Sequence, residues 1–489
     1  MSKKDKKKKK KGKKMKEADV VERVFDAVTG FTVPLAAMED LFIDDITLTV
    51  PQVNAEVKPH PDNLPVEHKE ESPALPASGK KEPDKVDQPG TAVCFYFQVH
   101  QPFRLRTYHF DQIGIDHYYE NYDQNIEILN KVADKCYLPT NAKILELLMR
   151  HKGRFKVAFS ISGVALEQFE LYRPDVIRSF QALAATGNVE MLSETYYHSL
   201  SFNYSVEEFD RQVLIHREKI KALFGLEPAI FRNTELIFNN ELAAHVASLG
   251  YKGMLCEGTD RYLQTRLPNH IYSSPGITNF SLLLKNYRLS DDIAFRFSNH
   301  EWEDWPLTAD KFSEWLHKHA GNAETINLFM DYETFGEHQW KETGIFDFLD
   351  NLPEMILDHP DFYFRSPSEV IAAYPSRDVY DVPDFTSWAD EERDLSAWKE
   401  NEMQEEALAK IYSLEKAVKA TGNEDLVKVW GKLQTSDHFY YMSTKFWADG
   451  DVHKYFSPFA SPYDAATYFM NAVSDLEKTI QAMADLPST

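Results

Sequence analysis

Cysteine, long apolar segments and positive charge are all scarce in this chain of 489 residues. Its three cysteines are too few for a disulfide framework, which favours a reducing, cytoplasmic location. No apolar run approaches the ~20 residues of a membrane-spanning helix, so we expect no membrane span. The net charge of −23 argues against a specific nucleic-acid partner for the folded part of the chain.

Sequence signatures of nucleotide and metal binding are absent as well. The sequence has no Gly-x-Gly-x-x-Gly or Walker-type loop, which argues against a nucleotide cofactor. His100, His198 and His338 follow strand-like segments, as the ligands of many metal hydrolases do. None of the three, however, belongs to a His-x-His or His-x-x-x-His pair. We therefore expect no metal and no cofactor, and we expect these histidines to hydrogen-bond to a substrate.

The composition changes along the chain and divides it into four parts. Residues 1–16 are almost pure lysine, which predicts a disordered tail. Residues 17–90 begin with some apolar periodicity and become rich in proline and charge, so we predict a mostly disordered linker with room for short helices. Residues 91–384 alternate strand-like and helix-like segments and are predicted to form the catalytic domain. Residues 385–489 keep only helical spacing, which predicts a C-terminal helical domain.

The fold class follows from the order of the segments. Seven strand-like runs alternate with helical ones: Ala92–Val99, Phe155–Ile161, Val189–Leu192, Ala229–Phe231, Gly253–Cys256, Ser281–Leu284 and Ile326–Met330. Such alternation indicates a parallel sheet with crossover helices, and so many units favour a barrel, closed or incomplete, over an open doubly wound sheet. The helical part is predicted to contain three helices: Glu391–Lys419, Glu424–Leu433 and Asp464–Ala484.

Two carboxylates stand just beyond strand-like runs. Glu235 follows the run that ends at Phe231, and Asp331 follows directly after Met330. In α/β barrels the chemistry takes place at the carboxyl ends of the strands, so we expect both side chains to face one pocket. Hydrolysis of a glycosidic bond requires two such groups, one to protonate the leaving oxygen and one to attack or to activate water. A single carboxylate of this kind is also typical of a helix cap, but two of them beside His100 and His198 favour a shared site.

Neighbouring residues suggest how the two carboxylates differ. Arg232 precedes Glu235 by three residues and is expected to keep it ionised. Glu333 follows Asp331 by two residues, which on a strand puts both side chains on one face, where a like charge helps to keep Asp331 protonated. The aromatic content of 13% suits sugar rings, with four tryptophans as candidates for stacking or for packing: Trp302, Trp305, Trp340 and Trp388.

Five motifs in a fixed order resemble those of glycoside hydrolase family 57, which includes α-amylases, 4-α-glucanotransferases, amylopullulanases and branching enzymes. The motifs are His100-Gln-Pro, Ser162-Gly-Val, Arg232-Asn-Thr-Glu-Leu, Asp331-Tyr-Glu-Thr-Phe-Gly and Ser436-Asp-His-Phe. The resemblance covers about residues 91–445. It implies an α/β fold, an incomplete seven-stranded (β/α) barrel followed by a C-terminal helical segment. The last motif on its own is equally typical of a helix N-terminus.

The resemblance also implies roles for single residues. Glu235 is expected to be the nucleophile and Asp331 the general acid/base of a retaining mechanism, with their carboxyl groups ~5–6 Å apart. Eight residues are expected to bind substrate: His100, Gln101, His198, Arg232, Glu333, His338, Asp437 and His438. Arg232 and His338 depart from the family pattern, since members often have aromatic residues near these two positions.

The leading hypothesis is an α-amylase-type retaining hydrolase of α-1,4-linked glucans such as starch, glycogen or maltodextrin. A 4-α-glucanotransferase or a branching enzyme would use the same residues. Two further alternatives are a metal-dependent hydrolase related to deacetylases or mannosidases and a non-catalytic glucan-binding protein. The sequence leaves the oligomeric state open.

Overall fold

The computed structural model describes residues 90–447 and 457–484. The predictions for residues 1–16 and for all of 17–90 except Gly90 lie outside the described residues. The boundaries of the barrel at 91–384 and of the helical domain at 385–489 stay predictions. None of the described helices is both long enough and apolar enough to cross a membrane.

Strands and helices alternate through most of the described chain. Its ten strands are β1 Thr91–Val99, β2 Val157–Ile161, β3 Val189–Met191, β4 Ile230–Arg232, β5 Gly253–Glu257, β6 Ile271–Ser273, β7 Ser281–Lys285, β8 Thr325–Asp331, β9 Phe362–Phe364 and β10 Asp378–Val379. The described α-helices up to the end of the barrel are α1 Tyr122–Val132, α2 Leu138–His151, α3 Gly163–Tyr172, α4 Pro174–Ala184, α5 Val206–Phe224, α6 Asn240–Ser248, α7 Asp260–Leu263, α8 Tyr287–Ala294, α9 Ala309–His317, α10 Ile345–Leu357 and α11 Pro367–Ala373. Those that follow are α12 Glu402–Ser413, α13 Glu415–Ala420, α14 Glu424–Lys432, α15 Ser436–Tyr440 and α16 Pro462–Ala484.

Seven of these strands form the barrel. β3, β2, β1 and β8 pair in that order, and β4, β5 and β7 form a second parallel set. The two sets join where Ser193, just after β3, bonds with β4: its N–H donates to the carbonyl of Ile230 at 3.1 Å, and its own carbonyl accepts from Arg232 at 2.8 Å. The strand-like runs of the sequence therefore correspond to the barrel strands, and the predicted fold class is confirmed.

The barrel is incomplete between β7 and β8. Within the described chain no strand ladder joins these two neighbours. Two hydrogen bonds of Asn327 in β8 bridge them instead. Its side-chain amide donates to the carbonyl of Leu284 at 2.8 Å, and its backbone carbonyl accepts from the N–H of Asn286 at 2.9 Å. An amide side chain thus takes the place of a ladder at the open seam.

The barrel interior is a packed core. β1 is buried along its whole length, which explains its continuous apolar run, because both faces of a barrel strand are covered. A cluster of buried side chains takes members from every barrel strand or from the residue just after it: Ala92, Cys94, Tyr96, Ala158, Leu192, Ile230, Leu255, Leu283 and Phe329. A filled interior leaves the carboxyl ends of the strands as the place for a site.

The C-terminal helices pack beside this end of the barrel. A second apolar cluster combines α12, α14, α15 and α16 with Leu105 and Tyr108 of the connection after β1. The same cluster includes Ile237, which follows β4 by a few residues. The N–H of Ser436 donates to the carbonyl of His198 at 2.9 Å and fixes the start of α15 at the mouth of the barrel.

Two helix predictions need correction. The helical spacing of Leu166–Ala184 predicts one helix around Pro174, but the structure has two, because Pro174 begins a second one. The predicted helix from Glu391 begins only at Glu402, since residues 385–401 form an irregular segment. Local side chains stabilise that segment: Asp394 accepts a hydrogen bond from the N–H of Ser396 at 2.8 Å, and such bonds compete with helix formation.

Candidate active site

Polar side chains follow each barrel strand and surround the mouth of the barrel. The set is His100 after β1, Ser162 after β2, Glu194 and His198 after β3, Glu235 after β4, Glu257 at the end of β5, Lys285 at the end of β7 and Asp331 at the end of β8. Parallel strands place all of these positions at the same end of the barrel.

Glu235 is held by hydrogen bonds to both carboxylate oxygens. Its Oε1 lies 2.8 Å from Nε2 of His198, and its Oε2 accepts from the indole nitrogen of Trp388 at 2.7 Å. Glu235 lies in a short 3-10 helix, Thr234–Leu236, with a φ of 55°, a strained conformation for a residue with a side chain. Its side chain keeps 24% of its surface exposed, so the carboxylate is fixed in place and still accessible.

His198 is the main positive charge beside Glu235. Its Nδ1 lies 3.0 Å from Oε2 of the buried Glu194. Burial alone would lower the pKa of His198, but the two carboxylates raise it to about 9. Burial opposes the ionisation of Glu194, yet the hydrogen bond and charge of His198 lower its pKa to about 2. His198 is therefore an imidazolium that donates to both carboxylates.

Arg232 is wholly buried beneath this group. Its guanidinium carbon lies 4.9 Å from the centre of the Trp388 ring, and one nitrogen lies 3.9 Å from Oε2 of Glu194. Desolvation opposes the ionisation of Glu235, but His198 first and Arg232 second lower its pKa below the ordinary value. Arg232 thus contributes to the expected ionisation of Glu235, although His198 contributes more.

Asp331 has the opposite electrostatic environment. Desolvation, and after it the negative charge of Glu235, raise its pKa to about 6 against the positive charges of Arg232 and Lys285. The charge of Glu235 is therefore one cause of the raised pKa of Asp331. Near pH 5–6 Glu235 is ionised while Asp331 still carries its proton, which is the division that an acid and a nucleophile need.

The expected role of Glu333 beside Asp331 rested on a wrong local structure. β8 ends at Asp331, and Glu333 lies in a 3-10 helix, Tyr332–Thr334, so the two side chains do not alternate along a strand. Glu333 is buried and accepts a hydrogen bond from the hydroxyl of Tyr137. Burial and then the charge of Asp331 raise the pKa of Glu333 to about 8. For the raised pKa of Asp331, the acid with the largest effect is Glu235. Gln101 is buried in the same network, 3.3 Å from the Tyr137 hydroxyl.

His100 connects the barrel to the helical segment. Its Nε2 lies 2.9 Å from Oδ2 of Asp437 in α15, and its Nδ1 lies 2.7 Å from the hydroxyl of Ser162. Its ring stacks on that of His198 with 3.9 Å between the centres. Desolvation and the charge of His198 lower the pKa of His100, so it is neutral and donates to Asp437. Despite desolvation, His100 and then His198 keep the pKa of Asp437 well below its ordinary value.

His338 and His438 each lie within hydrogen-bonding distance of a backbone carbonyl. The backbone N–H of His338 donates to the carbonyl of Glu333 at 2.9 Å, and burial lowers the pKa of the His338 imidazole to about 4. His438 is buried, with Nε2 3.2 Å from the carbonyl of Lys432 and its ring 5.8 Å from that of Phe469. His438 therefore supports the neighbouring Asp437 from within the helical segment.

Two residues of the site have roles that sequence reasoning missed. Glu194 was visible as a polar residue after β3, four positions before His198, but nothing local distinguished it from a surface acid. Trp388 was one of four candidates for stacking, and its hydrogen bond to Glu235 had no signal in the sequence because 153 residues separate the two. The described residues contain no group of three or more His, Cys, Asp or Glu arranged to hold a metal ion.

One ionised and one protonated carboxyl group at the mouth of the barrel are the pair of groups that hydrolysis of a glycosidic bond requires. The family model described as glycosyl hydrolase family 57 matches residues 94–383, and the chain belongs to this family. The predicted family and enzyme class are thereby confirmed.

Known proteins of the family show how far the similarity extends. A Methanocaldococcus jannaschii protein named "Putative alpha-amylase" is 44% identical over 404 residues, which cover 80% of this chain and 85% of that one. A branching enzyme from Thermococcus kodakaraensis superposes with a TM-score of 0.60 at 12% identity, over 81% of this chain and 92% of that one. A 4-alpha-glucanotransferase from Thermococcus litoralis gives a TM-score of 0.54 at 16% identity, over 72% of this chain but only 56% of the transferase. At such identities the structural similarities show the fold.

Proposed function

We propose that this protein is a retaining hydrolase of α-1,4-linked glucans, of the α-amylase type. Glu235 is the nucleophile and Asp331 the general acid/base. The observation that carries the proposal is the opposite shift of two carboxyl groups at the barrel mouth: the pKa of Glu235 is lowered, and that of Asp331 is raised to about 6, in part by the charge of Glu235. Membership of the family and the 44% identity to the Methanocaldococcus jannaschii protein support an α-glucan as the substrate.

The first step forms a covalent intermediate. Asp331 donates its proton to the glycosidic oxygen while a carboxylate oxygen of Glu235 bonds to the anomeric carbon and the glycosidic bond breaks. The leaving chain departs with a new hydroxyl group, and Glu235 becomes a neutral ester. His198 and Trp388, which each donate to one oxygen of Glu235, orient the carboxylate for this attack.

The second step reverses the role of Asp331. The charge of Glu235 helps to raise the pKa of Asp331, and that charge is lost when the ester forms. The pKa of Asp331 then falls, so the residue becomes a base at the stage where a base is required. It takes a proton from water, the oxygen of water attacks the anomeric carbon, and Glu235 leaves as a carboxylate.

The remaining polar residues are proposed to bind the sugar. The side chains of His100 and Asp437 remain 13% and 20% exposed, and they border the mouth beside His198. We assign them to the subsite next to the cleaved bond, with His338 further along the mouth. Gln101, Glu333, Arg232 and His438 are buried and support this surface from behind. The three cysteines are free and buried, which supports the proposed cytoplasmic location.

Product sizing on maltoheptaose tests the proposal. The wild-type chain should release only shorter oligosaccharides, whereas products longer than the substrate would mean that the enzyme transfers chains.

Glu235→Gln and Asp331→Asn should each lower turnover by roughly a thousandfold or more, and Glu314→Gln on the exposed face of α9 should leave it unchanged. Near-normal activity of either active-site variant would refute the assignment. Activity lost with EDTA and restored by zinc would favour the metal-dependent alternative.

A further inference from the structure

Three large apolar side chains project into solvent from the connection between β1 and α1. Phe110 is 79% exposed, Ile115 is 79% exposed and Tyr118 is 83% exposed. They lie at the tip of a hairpin whose stem is closed by pairing between Leu105 and Glu120. We call these three side chains the tip patch. Exposed apolar groups gathered in one place are typical of a binding surface.

The hairpin tip is firmly anchored, so flexibility does not explain the exposure. The buried Asp475 of α16 accepts three hydrogen bonds from the tip, from the N–H of Gly114 at 2.5 Å, from Nδ1 of His117 at 2.7 Å and from the hydroxyl of Tyr119 at 2.5 Å. Asn471 adds a bond from its side-chain amide to the carbonyl of Tyr108 at 2.9 Å. A surface that is already ordered loses little conformational entropy when it binds a ligand.

The hairpin belongs to the end of the barrel that carries the candidate active site. It follows His100 in the chain, a residue that lies within hydrogen-bonding distance of Asp437. Its buried side, Leu105, Tyr108 and Tyr119, packs in the same cluster as Ile237, two residues after Glu235. The base of the hairpin therefore packs in the cluster that also supports the connection carrying Glu235.

The chemistry of the tip patch suits a neutral carbohydrate. Of the charged side chains in residues 105–119, Arg106 and Asp116 neutralise each other in an ion pair, and Asp111 beside Phe110 adds one exposed carboxylate. Aromatic and aliphatic surfaces pack on the apolar C–H faces of sugar rings, and the adjacent, exposed His109 provides a polar group for hydroxyls. The net charge of −23 opposes close association with a second copy of the chain.

We propose that the tip patch binds a segment of the α-glucan chain remote from the cleaved bond, and so favours polymers over short oligosaccharides. This proposal rests on the proposed function, because it takes the same substrate as the active site.

The double variant Phe110→Ser/Tyr118→Ser tests it. Both positions are exposed and outside the catalytic group, so folding should be unaffected, as thermal unfolding can verify. We expect the KM for glycogen to rise about tenfold with kcat unchanged, while kcat/KM for maltotriose stays the same. Leu214→Ser, at a position 53% exposed on α5, is the matched control and should behave like wild type. An unchanged KM for glycogen in the double variant would overturn the proposal.

Affinity electrophoresis through glycogen separates this proposal from the proposed function. In a Glu235→Gln background, an intact tip should retard migration strongly, and the double variant, which keeps the subsites of the barrel mouth, should be retarded much less. Equal retardation of both would overturn the tip patch and leave the proposed function intact. No retardation of either, with no turnover by wild type, would overturn the α-glucan substrate itself. If the double variant instead changes only the oligomeric state in sedimentation, the patch is an interface between copies and the proposal is wrong.

Discussion

Trp388 donates a hydrogen bond from its indole nitrogen to Oε2 of Glu235 at 2.7 Å, and its backbone N–H donates to the carbonyl of the same residue at 3.1 Å. Two elements therefore determine the state of the candidate nucleophile. His198, from the connection after β3, provides the charge that lowers its pKa, and Trp388, from the irregular segment 385–401, fixes its second oxygen. The segment that leaves the barrel is thus part of the candidate active site.

The Trp388→Phe variant removes the donor and keeps most of the packing. A hydrogen bond to a charged group contributes about 1.5–3 kcal/mol, so kcat/KM should fall roughly 10- to 100-fold. Loss of a donor that lowers the pKa of Glu235 should also move the acid limb of the pH profile to higher pH, because Glu235 must be ionised to attack. Trp302→Phe is the control, since the ring of Trp302 contacts Trp315 and Arg296 and not the candidate nucleophile. A Trp388→Phe variant with an unchanged acid limb would contradict this role.

The His198→Gln variant should affect both activity and stability. Of the groups that lower the pKa of Glu235, His198 has the largest effect, so its removal should shift the acid limb upward further than Trp388→Phe does. It also leaves the buried Glu194 without its hydrogen-bonded cation, which should cost about 3 kcal/mol in the free energy of unfolding. Thermal unfolding and a pH–rate profile measure the two effects. Loss of activity without loss of stability would argue against the buried ion pair.

The basic limb of the pH profile should report Asp331. Its pKa is raised to about 6, and only the protonated form can donate to the leaving oxygen, so kcat/KM should decline as pH rises through about 6. The Asp331→Asn variant should be assayed with a nitrophenyl glycoside, whose leaving group needs no proton. The rate of its first step should show no decline as pH rises through about 6. If the limb persists in that variant, another group is the acid.

Burial explains which parts of the fold were predictable from the sequence. The barrel strands are covered on both faces, so runs such as Ala92–Val99 stand out as continuous apolar segments. Glu235 and Asp331 stand out because each follows such a run. α1 and α2, between β1 and β2, were not predicted, and neither were β6, β9 and β10, which lie outside the barrel and have three residues or fewer.

Other features depend on long-range packing that the sequence does not display. Asp437 and His438 are neighbours in one motif, yet Asp437 contacts His100 while His438 bonds to a carbonyl within the helical segment. Glu333 appeared to continue a strand, but the chain turns directly after Asp331. The contact between Trp388 and Glu235 arises only once the segment after the barrel folds back over its mouth.

Chemical rescue with azide tests the assignment of the two carboxyl groups most directly. Azide is a small anion that can replace a missing carboxylate, and the anomeric configuration of the glycosyl azide shows at which step it reacts. With an activated nitrophenyl α-maltoside, Glu235→Ala should yield the β-azide, formed by direct attack from the face that Glu235 left empty. Asp331→Ala should yield the α-azide, formed by attack on the glycosyl-enzyme. The opposite pairing, or no azide product from either variant, would contradict a retaining mechanism with Glu235 as the nucleophile.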